Sequence, residues 1–206
     1  AFKLLSEVGD IAIVQLMSKM TNIMSEGEVF QLMKCGDTSL TEEEYLSIVE
    51  KKTAVLMSAA CGSGAVLGGA SQAKIEALEQ YGCKIGMAFQ ITDDTLDYMA
   101  KEEDFGKSIG KDLEEGKMTL PLIYTLVKCT DAERGMIQTT IEQKAFSTDA
   151  IRDIFSLIQK SGGIDYSLQR AEQFIREAKN GLKVFADCHE KEHLDTVAEY
   201  ILSRKI

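Results

Sequence analysis

Phe89-Gln90-Ile91-Thr92-Asp93-Asp94-Thr95-Leu96-Asp97 is the stretch from which the rest of the chain is read. It lies near the end of a run, residues 71–99, with the three- and four-residue apolar spacing of one long helix. On a helix, residues three and four apart share a face, so Asp93, Asp94 and Asp97 form one carboxylate cluster. Like charges gathered on one face destabilise the bare protein, and a hard divalent cation with oxygen ligands is the simplest compensation. Three aspartates alone equally fit a solvated acidic stripe. The uncharged Gly86-Met87-Ala88-Phe89 upstream reads instead as a cavity wall and favours the metal.

Beyond the aspartates, between residues 100 and 117, the pattern breaks into a charged loop punctuated by Gly106, Gly110 and Gly116. It carries Lys107, Lys111 and Lys117, and Thr119-Leu120-Pro121 follows. Such a loop can fold over a phosphate while Mg²⁺ bridges that phosphate to the carboxylates. A lone loop lysine is usually just solvated. Aspartates, then glycine-flanked lysines, then Thr-Leu-Pro is a far more restrictive order.

Outward from this centre, helical periodicity dominates. Phe2, Leu5 and Val8, then Ile11, Val14 and Met17, repeat at helical spacing, with Gly9-Asp10 as punctuation and Asp10 able to cap the second helix. That second helix stops near Cys35-Gly36, and Thr41-Glu42-Glu43-Glu44 starts another with a capping box. A helix over 53–70 follows, Pro121 stands near the start of a later one, and further helices fall at 148–161, 166–188 and 194–203. Gly162-Gly163 turns between the first two of these. No alternating run is long enough for a sheet. The expectation is an all-α bundle, one domain over residues 1–206.

Composition narrows the function. With 33 acidic and 23 basic side chains the net charge is −10, which argues against a nucleic-acid or anionic-membrane surface. A phosphorylated small molecule stays open, because a local basic cluster and magnesium can hold one. Five cysteines in no CxxC spacing make neither a disulfide framework nor a zinc site, and they suit a reducing cytosol. The uncharged residues 53–73 are long enough to span a bilayer and contain Gly64 and Gly68 at GxxxG spacing. Their many Gly, Ala, Ser and Cys residues favour a buried helix with close neighbours, so no transmembrane segment is expected. His189-Glu190-Lys191-Glu192-His193 matches the H-E-x-x-H of zinc proteases, but its charged context favours an exposed turn between helices. Gly62-Ser63-Gly64 fails as a dinucleotide loop because Leu67 takes the third glycine position and no strand precedes it.

The stretches FQITDDTLD and GKSIGKDLEEGKMTLPLIY resemble the second aspartate-rich region of the trans-isoprenyl diphosphate synthases. Ile48-Val49-Glu50-Lys51-Lys52-Thr53-Ala54 is similar to that family's Lys-Thr-Ala helix, and Gly27-Glu28 with Gln31 to its mid-helix signature. Ala59-Ala60-Cys61-Gly62-Ser63-Gly64-Ala65 and Tyr81-Gly82 look most like medium- and long-chain members. The resemblance covers essentially the whole chain and is weakest after Lys128.

It implies an isoprenoid-synthase fold, Mg²⁺ as cofactor, and allylic and isopentenyl diphosphates as substrates. Asp93, with Asp94 and Asp97, would hold a magnesium ion, and Asp112 would add a water-mediated contact. Lys52, Lys107 and Lys117 would contact the allylic diphosphate, while Thr53 and Gln90 would line the reaction centre. A homodimer is implied too, with the apolar residues 1–24 as its expected interface, and the cysteine usage places it in the cytoplasm. One departure matters. The family's first aspartate-rich motif and its arginines have no counterpart before Asp93, and the first arginine here is Arg134. The chain is therefore expected to be the C-terminal two-thirds of a longer enzyme, inactive by itself. The rival expectations are a non-catalytic subunit of a heteromeric synthase and a class I terpene cyclase.

Overall fold

Helices answer the sequence pattern throughout the described residues. The computed structural model describes residues 2–99 and 110–203. Among the described residues there is no strand. Helix α1 (Phe2–Val8) meets α2 (Ile11–Met33) at Gly9-Asp10, and Asp10 Oδ1 caps α2 by accepting from the Ala12 amide at 2.8 Å. Thr41 and Glu44 form the expected capping box of α3 (Glu42–Val49).

Two features escape the periodicity. Helix α3 runs without a break into a π turn, Glu50–Ala54, before α4 (Val55–Leu67) begins. The stretch read as one helix from Thr53 is thus a π turn followed by a shorter α-helix. A π turn packs an extra residue into one turn and leaves no mark in three- and four-residue spacing. The second feature is α8 (Asp131–Glu142), which follows α7 (Leu120–Lys128) and opens with a capping box of Thr130 and Glu133. Its buried residues are only Ile137, Thr140 and Ile141, too thin a stripe to stand out.

Helix α5 (Gln72–Leu96) is the centre of the packing, against α4 on one side and α10 (Gly163–Gly181) on the other. Its Tyr81, Ala88 and Ile91 are essentially inaccessible. The Tyr81 hydroxyl also donates to the Leu194 carbonyl at 2.7 Å, tying α5 to α11 (His189–Ser203). Helix α9 spans Thr148–Ser161 and ends at Gly162, so the Gly-Gly turn is a single residue long. The expected helix over 166–188 starts earlier, at Gly163, and gives way after Gly181 to a 3₁₀ turn, Leu182–Val184.

The remaining readings resolve locally. Among the described residues no helix is long and apolar enough to cross a membrane. Gly62-Ser63-Gly64 lies inside α4, not in a phosphate loop. His189 and His193 open α11 rather than lying in a turn, both exposed, their ring centroids 6.2 Å apart.

Candidate active site

The C-terminal half of α5, the π turn and α2 meet at a cavity of about 110 Å³. Two glycines make the meeting possible. A Cβ on Gly27 of α2 would lie 2.7 Å from Lys51 Cβ and 2.9 Å from the Lys52 amide nitrogen. One on Gly86 of α5 would lie 2.5 Å from Ala54 Cα. The π turn is clamped between the two helices at distances only glycine permits, which turns Lys52 and Thr53 to the cavity wall.

From α5 the cavity receives Gln90, Asp93 and Asp94. The opposite wall comes from the chain after the loop: Asp112 in the short helix α6 (Lys111–Glu114), then Lys117, Met118 and Thr119. A backbone bond from the Gly36 amide to the Gly116 carbonyl, 2.8 Å, fixes this segment to the end of α2. Tyr45, Ile48 and Val49 of α3 close the floor.

The polar groups are linked. Lys52 Nζ bonds Gln31 Oε1 and pairs with Glu28 at 3.2 Å. Lys117 Nζ lies 2.8 Å from Asp112 and 2.7 Å from Glu115. Burial lowers the pKa of that lysine, but its hydrogen bonds to Asp112 and Glu115 outweigh this and raise it above the ordinary value. Thr53 Oγ1 donates to Gln90 Oε1 at 2.8 Å. Gln90 Nε2 and the Tyr45 hydroxyl donate to the two oxygens of Asp94, each at 2.7 Å. Burial pushes the Asp94 carboxyl up to about 7 against these two donors, and Asp112 and Asp93 add repulsion.

Of the nine residues expected at the site, Lys52, Thr53, Gln90, Asp93, Asp94, Asp112 and Lys117 line the one cavity. Asp97 does not line it. Asp97 turns toward the backbone amides of Gly110 and Asp112, and burial raises its pKa. Lys107 lies outside the described residues, and Lys111 is exposed away from the lining. Sequence reasoning missed Lys34, which lines the cavity while paired with Asp37 and Glu44, and Tyr45. A helical stripe did point to Tyr45, since Tyr45, Ile48, Val49 and Lys52 stand at i, i+3, i+4 and i+7. The partner of its hydroxyl left no such trace.

The donor chemistry suits a hard cation. Every candidate ligand is a carboxylate, and Asp97 Oδ2 is buried with no hydrogen-bond partner among the described residues. Among those residues no group of three or more His, Cys, Asp or Glu closes around a metal. An open set of carboxylates is what Mg²⁺ accepts when phosphate oxygens and water complete its shell.

A family model described as Polyprenyl synthetase matches residues 1–158. The octaprenyl diphosphate synthase of Escherichia coli K12 is 35% identical over 204 residues, 99% of this chain and 63% of that protein. The geranylgeranyl diphosphate synthase of Methanosarcina mazei is 38% identical over 211 residues, 100% of this chain and 63% of that protein. A polyprenyl synthase from Caulobacter crescentus CB15, solved with calcium and isoprenyl diphosphate, superposes with a TM-score of 0.93 at 35% identity. That match covers 100% of this chain and 62% of the other. The chain therefore spans somewhat over three-fifths of these relatives' length.

Proposed function

The chain belongs to the polyprenyl synthetase family, and we propose that it carries the second aspartate-rich half of a prenyltransferase site. The reaction is the head-to-tail condensation of isopentenyl diphosphate with an allylic diphosphate. One observation carries the reading: carboxylates from α5 and α6, lysines from two other segments and the Thr53–Gln90 pair face one cavity. The packing of α9 against α7, and of α10 against α7 and α5, supports the reading of residues 1–206 as one domain.

Lys52 and Lys117 approach from separate segments and neutralise the diphosphate of the allylic substrate, each exchanging an internal carboxylate for a phosphate oxygen. Lys107 is assigned the same task on the sequence resemblance. Asp93, Asp94, Asp97 and Asp112 are the carboxylates from which the ligands of a Mg²⁺ ion would be drawn, and the Caulobacter relative solved with calcium and isoprenyl diphosphate supports a divalent site. When bound, the cation supplies Lewis-acid stabilisation of the departing pyrophosphate. Oxygens of Thr53 and Gln90 line the place where the allylic carbon gains positive charge and attract it. The new carbon–carbon bond forms there, a proton is lost to the pyrophosphate, and the product is one isoprene unit longer.

The first aspartate-rich motif has no counterpart between Ala1 and Asp93. Turnover is accordingly assigned to a protein that also carries that motif, not to residues 1–206 by themselves. The apolar side chains Leu4, Val8 and Ile11, exposed on α1 and the start of α2, support a homodimer interface within residues 1–24. Five free thiols suit the cytoplasm as its location.

The test is Asp93→Ala in the complete enzyme, assayed with an allylic diphosphate and labelled isopentenyl diphosphate. Turnover is expected to fall by several orders of magnitude with thermal unfolding unchanged. Near-normal turnover would overturn the site.

A further inference from the structure

Tyr45 has no part in the chemistry above, yet its hydroxyl is built into the same cavity. The residue is 3% exposed, on α3. Its hydroxyl donates to Asp94 Oδ2 at 2.7 Å, Asp94 Oδ1 accepts from Gln90 Nε2 at 2.7 Å, and Gln90 Oε1 accepts from Thr53 Oγ1 at 2.8 Å. Four side chains from α3, α5 and the π turn thus form one directed chain.

Its direction follows from donor and acceptor chemistry. A glutamine amide has two ends of nearly equal shape, one donating and one accepting, so its neighbours decide which end faces where. In its ionised form, which the Tyr45 and Gln90 hydrogen bonds favour, a carboxylate only accepts. Asp94 therefore draws the Gln90 NH₂ group and leaves Oε1 on the side of Thr53. Tyr45 occupies the other carboxylate oxygen, so Asp94 cannot give that oxygen to a cation in the cavity without leaving a buried phenol unpaired. Asp93, one residue earlier, is exposed instead.

We propose that Tyr45 and Asp94 are positioning residues, with Tyr45 clamping Asp94, and Asp94 holding the Gln90 amide so that its oxygen faces the reaction centre. Within the carboxylate set, metal coordination then falls to Asp93, Asp97 and Asp112. What the Gln90 oxygen does rests on the prenyltransferase reading. The orientation of its amide does not.

The test uses the full-length enzyme with Tyr45→Phe, which removes one oxygen and keeps the ring, together with Asp94→Asn, Gln90→Ala and the Tyr45→Phe/Gln90→Ala double variant. Tyr45→Phe is expected to lower kcat about 10- to 100-fold, the scale of a misplaced reacting group. The KM for the allylic diphosphate and the half-saturating Mg²⁺ concentration should stay within about twofold. In the Gln90→Ala background the same change should add almost nothing, because the two residues act as one unit.

Two further readouts are independent of turnover. Mn²⁺ binding in the presence of pyrophosphate should survive Asp94→Asn, and the NMR signal of the Gln90 side-chain amide should shift in Tyr45→Phe. A tenfold weaker Mn²⁺ affinity in Asp94→Asn would make Asp94 a ligand and overturn the assignment. Additive losses in the double variant, or an unmoved Gln90 signal, would sever Tyr45 from Gln90 and overturn it equally. If the unmodified enzyme elongates nothing, the prenyltransferase reading fails, while the Mn²⁺ and NMR results still decide the roles of Asp94 and Tyr45.

Discussion

Gly86 and Lys117 illustrate how much single residues decide at this cavity. A methyl group at Gly86 would press on Ala54 Cα at 2.5 Å, backbone that the π turn cannot withdraw. Gly86→Ala is expected to destabilise the protein by about 1–3 kcal/mol, the usual range for overpacking, read from the denaturant midpoint. The same strain pushes Lys52 and Thr53 off the wall, so substrate affinity should fall with it. Lys117 acts by charge. Lys117→Ala removes the partner of Asp112, 2.8 Å away, and leaves a carboxylate facing the diphosphate. We expect the KM for the allylic diphosphate to rise tenfold or more in the complete enzyme, about 1.4 kcal/mol of binding. An unchanged KM would remove Lys117 from the site.

At the scale of the element, α8 shows a helix held by its ends more than by its face. Thr130 and Glu133 satisfy each other's backbone amides, and Glu133 also accepts from Lys160 of α9 at 2.8 Å. The Lys160 ammonium, then the Thr130 backbone and hydroxyl, hold the Glu133 carboxyl at about 2, below its ordinary 4.5. A depressed carboxylate contributes stability that is complete above the unfolded pKa and is lost as pH falls through the folded one. For Glu133 the window runs from about 4.5 down to about 2. Denaturant titrations of Glu133→Gln across that window should show a shallower loss of stability than the unmodified protein. Parallel curves for the two would refute the contact between α8 and α9.

For the molecule as a whole, the cavity binds three lysines to their own carboxylates: Lys34 to Asp37 and Glu44, Lys52 to Glu28, Lys117 to Asp112 and Glu115. A diphosphate with a divalent cation can replace those contacts jointly, since phosphate takes the lysines and metal the carboxylates. Mg²⁺ and pyrophosphate added together should therefore raise the melting temperature, whereas either alone should do little. At a hundredfold excess over Kd the gain is about 2.7 kcal/mol. EDTA should reverse it. A shift produced by pyrophosphate without metal would assign the binding to the lysines alone.

The sequence by itself determined the all-α class, the Asp10 and Thr41 caps, the break at Gly162 and the carboxylate–lysine grouping around residues 90–117. Each is a matter of local spacing, and helical spacing, capping and charge clustering are legible over a few residues. Tertiary structure alone decided the rest. Glycines remote in sequence, Gly27 and Gly86, let α2 and α5 close on the π turn Glu50–Ala54, because close approach depends on what lies opposite. Asp94 differs from Asp93 in its burial and in a phenol 49 residues away, since two neighbouring carboxylates on a helix point some 100° apart and meet different surroundings. Charge can be counted along a chain; the hydrogen-bond partner that fixes where it points comes from another element.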